Sequence, residues 1–490
     1  MIVDLVVHNG KIVTPAGTFP GGVAVSEGKI VAIATESALP PAQRTIDAGG
    51  NYILPGLVDP EGHLAGSRPI KDGFVSETCA ALASGVTTWG VQVSSTGIKL
   101  EEDGWPPTDE DIRPFSEVMP LFKELGDRLS RVDYFLTPVV TTDEQVAEIP
   151  QLAERYGVTS YKFYLHMKQG LQVASKWHAQ KHMGFTGFDD GTVYLALENV
   201  ARIGPPGIVS IHPENWEIVR IFEDRLKKQG RKDMAAWDER SPHFCEAGHV
   251  WAYAYYAKVT GCPLYIQHVT TQETLDVIQK LRADGVKVYG QTSACYLSLP
   301  NDVWKLNVPL RDRETIEKLW VAVSEGIVDC SGTDHVNTGK SREQMEIKGD
   351  MWATSSGFPS RVEAYLPVML SEGVNKGRIS LEKMVELCCE NPARIFGLYP
   401  KKGVIAVGSD ADLVIVDLDL TKEVKREMIQ CGAGWSIYEG WQMKGWPVMV
   451  ILRGNVVMDW PADAPRARMV GEPIGRYLPR KPGHQTYRVE

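Results

Sequence analysis

The sequence predicts an α/β chain whose middle closes into a (β/α)8 barrel and whose two ends share one discontinuous β-rich domain. Three observations carry this expectation. Eight apolar runs, over 52–58, 86–93, 132–140, 159–165, 207–212, 264–268, 286–292 and 327–333, alternate with helix-like stretches such as 272–283 and 314–324. Strands alternating with helices make a parallel sheet, and eight of them suit a closed barrel. The 490 residues leave room for a barrel of about 250 residues with an appendage. Short β-branched runs cut by Asn-Gly and Glu-Gly turns occupy both chain ends.

At the N-terminus Asp4-Leu5-Val6-Val7-His8-Asn9-Gly10 runs into Lys11-Ile12-Val13. Gly22-Val23-Ala24-Val25 then turns through Glu27-Gly28 into Lys29-Ile30-Val31-Ala32-Ile33, the texture of a small antiparallel sheet. That texture returns in 402–408, 412–417 and 446–454. Gly/Pro-rich insertions at 104–107 and 184–191 are expected as long loops over one face. The Pro- and Arg-rich tail from Pro461 is expected as an extended arm or a disordered segment. The expected divisions are 1–54 with 396–460, then 55–395, then 461–490.

Composition excludes several classes. With 43% hydrophobic and 23% charged residues and a net charge of −10, the chain reads as globular, and nucleic-acid binding has no electrostatic support. No apolar run approaches the roughly 18 residues of a membrane span. Met1-Ile2-Val3-Asp4 lacks the basic start and apolar core of a secretory signal, so a cytoplasmic location is expected. The eight cysteines form no Cys-x-x-Cys pair, and reduced thiols are expected. Of the 13 tryptophans, Trp89, Trp251, Trp320 and Trp352 are expected in the core. Trp105 and Trp177 fall on the expected loops, where they could wall a pocket. Asp189-Asp190 resembles a calcium loop only faintly, and a solvated turn is expected.

In a barrel, chemistry sits at the C-terminal ends of the strands. Those positions hold His63, Lys162, His212, His268 and Asp334, with Glu61 two residues before His63. A single histidine in an apolar strand is usually a satisfied core residue. Three of the eleven histidines, a lysine and an aspartate at equivalent strand ends point instead to a divalent metal such as zinc or manganese. Alternation puts Lys162 on the face of Ser160 and Tyr164, and an inward lysine needs a partner or neutralisation. It is either a snorkelling amine or a lysine carboxylated by carbon dioxide.

The ordered set of motifs resembles the hydantoinase/dihydropyrimidinase group of cyclic amidohydrolases, within the amidohydrolase superfamily, over nearly the whole chain. It runs from Asn9-Gly10-Lys11-Ile12-Val13 through Leu54-Pro55-Gly56-Leu57-Val58-Asp59, Gly85-Val86-Thr87-Thr88 and Tyr161-Lys162 to His212-Pro213-Glu214-Asn215. It continues with Gln267-His268-Val269-Thr270-Thr271, Thr292-Ser293-Ala294-Cys295-Tyr296-Leu297, Gly332-Thr333-Asp334-His335, Asn391-Pro392-Ala393-Arg394 and Gly408-Ser409-Asp410-Ala411-Asp412-Leu413. The resemblance implies a TIM-like barrel with a discontinuous β-sandwich domain. It also implies metal ligands at His63, Lys162, His212, His268 and Asp334, with Lys162 as N6-carboxylysine bridging two metals.

This chain departs from the pattern. The family reads Asp-x-His-x-His after the first barrel strand; here Asp59-Pro60-Glu61-Gly62-His63 puts Glu61 at the first histidine. Glu61 ligates as a carboxylate beside two metals, or leaves one metal held mainly by Lys162, His212 and His268, or marks a decayed site. An ionised Glu61 removes the net positive charge of the family centre, which favours oxygen-tolerant manganese over zinc. Met167 stands at the family's oxyanion tyrosine, with Tyr164 and His166 as nearby replacements. Ser356-Gly357-Phe358-Pro359 replaces the Asn-Gly substrate loop. Ala65, with Arg68 further on, stands where dihydroorotase-like members place an arginine, which disfavours a dihydroorotate-type substrate.

The expected reaction is hydrolytic opening of a cyclic amide, imide or ureide, with Asp334 as general base and then acid and Ser293 contacting the substrate through its backbone. The alternatives are a non-catalytic oligomeric scaffold and an allantoinase-like ureide hydrolase. Expected partners are a small cyclic amide or imide and further copies of the chain, as a tetramer or dimer, with no nucleic acid and no membrane.

Overall fold

The barrel strands are buried on both faces, so they are written in continuous apolar and β-branched residues rather than alternation. In the computed structural model, which describes residues 2–64, 69–95, 113–168, 188–337, 339–354 and 360–483, this middle segment carries two parallel sheets. The first holds β6 (Leu57–His63), β7 (Val86–Val93), β8 (Asp133–Pro138) and β14 (His335–Val336), in the order β14-β6-β7-β8. The second runs from β9 (Ser160–Tyr164) through β10 (Ile208–His212), β11 (Leu264–Ile266) and β12 (Val288–Thr292) to β13 (Cys330–Ser331). A parallel bridge between Val139 and Lys162 joins β8 to β9. The pairing of His335 with Gly62 joins β14 to β6. With β13 and β14 consecutive in sequence, the ring closes as the predicted barrel.

Capping fixes where several barrel helices begin. Asn215, Thr271 and Asp312 each accept a hydrogen bond from the helix they precede, over Trp216–Lys228, Gln272–Ala283 and Arg313–Ser324. The first two caps stand three residues after His212 and His268, so each helix start anchors a strand end that carries a candidate ligand.

The chain ends build a nine-stranded sheet from β1 (Val3–Thr14), β2 (Gly17–Ser26), β3 (Lys29–Ala34), β4 (Ala42–Asp47), β5 (Tyr52–Pro55), β15 (Leu413–Glu423), β16 (Gln442–Leu452), β17 (Asn455–Asp459) and β18 (Arg468–Met469). Antiparallel pairing of β5 with β15 joins the N-terminal and C-terminal halves. Both contribute to one core that includes Leu5, Val7, Val23, Ile53, Leu413 and Ile451. The α/β class, barrel plus β-sandwich, is as the sequence predicts.

Three expectations change, and a fourth resolves to one of its two alternatives. Residues 402–408 form no strand: Gly403 and Gly408 turn with φ of +78° and +94°, and Lys402 is drawn inward to Asp133, Asp410 and Asp412. Trp251 is 48% exposed rather than core. Asp189 is the N-cap of the helix Asp190–Ile203 instead of a free turn. The tail runs as an extended arm, with Arg480 buried and donating to Ser160 Oγ and the Leu136 carbonyl. Among the described residues no helix is long and apolar enough to cross a membrane. Trp105, Trp177, Ala65, Arg68 and Ser356-Gly357-Phe358-Pro359 lie outside the described residues.

Candidate active site

β6 delivers Glu61 and His63 through a crowded corner. A Cβ on Gly62 would lie 2.0 Å from the indole nitrogen of Trp89, so only glycine lets the strand end pass this ring. Trp89 Nε1 in turn donates to Asp59 Oδ2 at 3.0 Å. Asp59 also accepts from the backbone amides of Glu61 and Thr333 and from the Thr333 hydroxyl. One carboxylate thus ties the end of β6 to the turn that presents Asp334. Burial raises Asp59 to about 6 against these hydrogen bonds.

Two of the candidate residues sit in left-handed backbone. His268 has φ +39° and Asp334 φ +46°, conformations that are uncommon for non-glycine residues and concentrate at functional sites. The buried carboxylate of Glu246 steadies the first turn by accepting from the Thr270 amide and hydroxyl.

The strand ends converge. Glu61, His63 and Asp334 each present a ligand atom, all within 4.8 Å of one another. His63 Nε2 lies 3.6 Å from Asp334 Oδ1 and 3.4 Å from the Tyr164 hydroxyl. Lys162 Nζ lies 3.4 Å from Glu61 Oε1 and 4.8 Å from the centre of the Tyr164 ring. The His212 ring packs 4.3 Å from that of His268 and 4.1 Å from that of His166. Ser293, after β12, is buried; its carbonyl accepts from the amides of Tyr296 and Leu297.

Sequence reasoning missed Arg361. It is buried, its Nη2 donates to Asp334 Oδ2 at 3.0 Å, and its Nη1 lies 3.6 Å from Cys295 Sγ. It belongs to no strand end, so no strand pattern marks it. Asp59, Glu77 and His335 were missed as well. His335 Nε2 meets Glu77 Oε2 at 2.6 Å, directly behind Asp334 in sequence.

The electrostatics suit a cation. Burial holds His212 and His268 well below the ordinary histidine range, and holds His63 below it although Asp334 opposes the shift. Neutral imidazole is the form that binds metal. Burial alone would raise Asp334, but the Arg361 guanidinium and His63 keep its carboxyl below the usual carboxylate range. Burial pushes Glu61 up and Lys162 down, each opposed by the other's charge. Glu61 Oε2, His212 Nε2 and His268 Nδ1 are buried without a hydrogen-bond partner among the described residues, the Glu214 carboxylate lying 3.6 Å from His212 Nε2. Buried polar atoms are nearly always paired, and oxygen and imidazole nitrogen donors left open in one pocket fit a divalent metal ion.

Known proteins resemble this chain along most of its length. The amidohydrolase family profile matches residues 243–457. An L-hydantoinase of Paenarthrobacter aurescens is 30% identical over 466 residues, which cover 93% of this chain and 94% of that one. A D-hydantoinase of Ralstonia pickettii is 28% identical over 98% of this chain and 99% of its own. A solved dihydropyrimidinase from Brevibacillus agri is 25% identical and superposes with a TM-score of 0.81, covering 97% of this chain and 98% of that chain. With likeness of this degree along nearly its whole length, the chain belongs to the hydantoinase group of the amidohydrolase family.

Proposed function

We propose that this protein is a metal-dependent hydrolase that opens the ring of a cyclic amide, imide or ureide, as the names of its relatives suggest. The observation that carries the reading is the set of open buried donors, Glu61 Oε2, His212 Nε2 and His268 Nδ1, beside His63 and Asp334. These five residues would hold zinc or manganese, as one or two ions. Lys162 adjoins them at the position where the family resemblance implies N6-carboxylysine, formed with carbon dioxide. When bound, a divalent ion supplies Lewis-acid polarisation of the substrate carbonyl and acidifies water.

The chain's own groups do the rest. Asp334 accepts the proton of the attacking water and delivers it to the ring nitrogen as the amide bond breaks. Arg361 keeps that carboxyl ionised before the reaction. Tyr164 and His166 flank the pocket as donors to the developing oxyanion, and the backbone at Ser293 orients the ring. The exposed apolar face of the helix His243–Thr260, with Phe244, Trp251, Tyr255 and Val259, supports self-association as a dimer or tetramer. Eight free cysteines suit a reducing compartment such as the cytoplasm.

Ring opening of hydantoins, dihydropyrimidines and cyclic imides, followed with metal-loaded and chelator-treated protein, tests the function. Metal-dependent opening of at least one ring class is expected. Stable metal binding with no hydrolysis of any of them would favour the scaffold instead.

A further inference from the structure

Lys162 Nζ faces Glu61 Oε1 across 3.4 Å, with the two side chains 0% and 1% exposed. The other oxygen of Glu61, Oε2, is buried with no hydrogen-bond partner among the described residues. One carboxyl group therefore touches the lysine nitrogen with one oxygen and keeps the second open to a metal. A carbamate on Lys162 would offer the same arrangement through a covalent bond. Resting on the metal-dependent reading above, we propose that Glu61 supplies this carboxylate from β6, that Lys162 stays an unmodified amine, and that the centre holds one divalent ion per chain.

The charges of the pocket favour this assignment. Glu61 faces Lys162, and Asp334 Oδ2 faces Arg361 Nη2 at 3.0 Å, so two acids and two bases already balance. One divalent ion then leaves the pocket cationic, as attack by water on a carbonyl needs. Carboxylation forms a bond from Nζ to the carbon of carbon dioxide and releases two protons from the ammonium group. It would convert the base beside Glu61 into a second buried acid and leave the four groups doubly negative. Repulsion between adjacent carboxylates is far stronger in a buried pocket than in water; one divalent ion would only neutralise these groups, and a second would be needed to leave the pocket cationic. The residue that displaces the family histidine thereby also removes the need for the modified lysine.

Metal-loaded protein incubated with 13C-bicarbonate tests the assignment through its 13C NMR spectrum and metal content, read beside the ring-opening rate. The expected result is no carbamate resonance, one ion per chain at saturation, and metal content independent of bicarbonate. Glu61→His removes the competing carboxyl; this variant is expected to gain a carbamate resonance and bicarbonate-dependent uptake of a second ion. Should it fail to fold, Glu61→Gln keeps the shape without the charge and is expected to gain the resonance. A carbamate resonance in the unaltered protein, or a folded variant that gains none, overturns the proposal. Absence of ring opening with one ion bound and no carbamate would count against the enzyme reading while leaving the state of Lys162 as assigned.

Discussion

Asp334 is held from three sides: by its left-handed backbone, by Arg361 on one oxygen and by His63 beside the other. Replacing it with asparagine keeps the shape but removes the carboxylate proposed as the proton acceptor. Asp334→Asn is expected to lower kcat by about a hundredfold or more, measured with metal-loaded protein. Gly62 makes a different prediction, because its constraint is space. Gly62→Ala drives a methyl into the Trp89 indole and is expected to cost ~1–3 kcal/mol, read as a lower thermal midpoint with weaker metal binding. The candidate ligands were legible in the sequence because they stand at or near strand ends, where a continuous apolar run gives way to polar residues. Arg361 was not, because it meets Asp334 only through the fold, from a segment with no period. Glu61 was legible as a departure, but its contact with Lys162 joins residues 101 positions apart.

The elements most readily read were those whose pattern decides their burial. The helix expected over 272–283 is observed as Gln272–Ala283, and the strand expected over 86–93 as Val86–Val93, all eight of its residues buried. The texture of 402–408 misled because apolar residues there alternate with glycines that turn, while the lysine beside them is held by three aspartates. A second network that sequence could not display locks the helix Ile70–Ala83 to β14. Glu77 meets His335, Asn337 and the Gly432 amide. Burial alone would raise Glu77, yet His335 and its other hydrogen bonds bring it from 4.5 down to about 2. As pH falls, the unfolded chain takes up this proton first. The stabilisation is therefore complete above pH 4.5 and is lost as pH approaches 2. Glu77→Gln is expected to cost ~2 kcal/mol at pH 7. Thermal midpoints should show the difference from the unaltered protein shrinking below pH 4.5.

At the scale of the whole molecule, the barrel presents its strand ends to one pocket while the two chain ends close into a sheet on a core of their own. That division leaves the outer helices free to make contacts between copies. Trp251 and Tyr255, exposed a helical turn apart on His243–Thr260, are expected to carry such a contact. Trp251→Ser combined with Tyr255→Ser should shift the protein to a smaller species in analytical ultracentrifugation. An unchanged sedimentation coefficient would place the contact elsewhere. The central claim is that the pocket of Glu61, His63, His212, His268 and Asp334 performs hydrolysis only with a metal in place. Stepwise metal titration of the stripped protein, with bound ion and ring-opening rate recorded in the same samples, tests it most directly. The rate is predicted to rise from background in proportion to ion bound and to level off when the site is full; equal rates in stripped and loaded protein would contradict it.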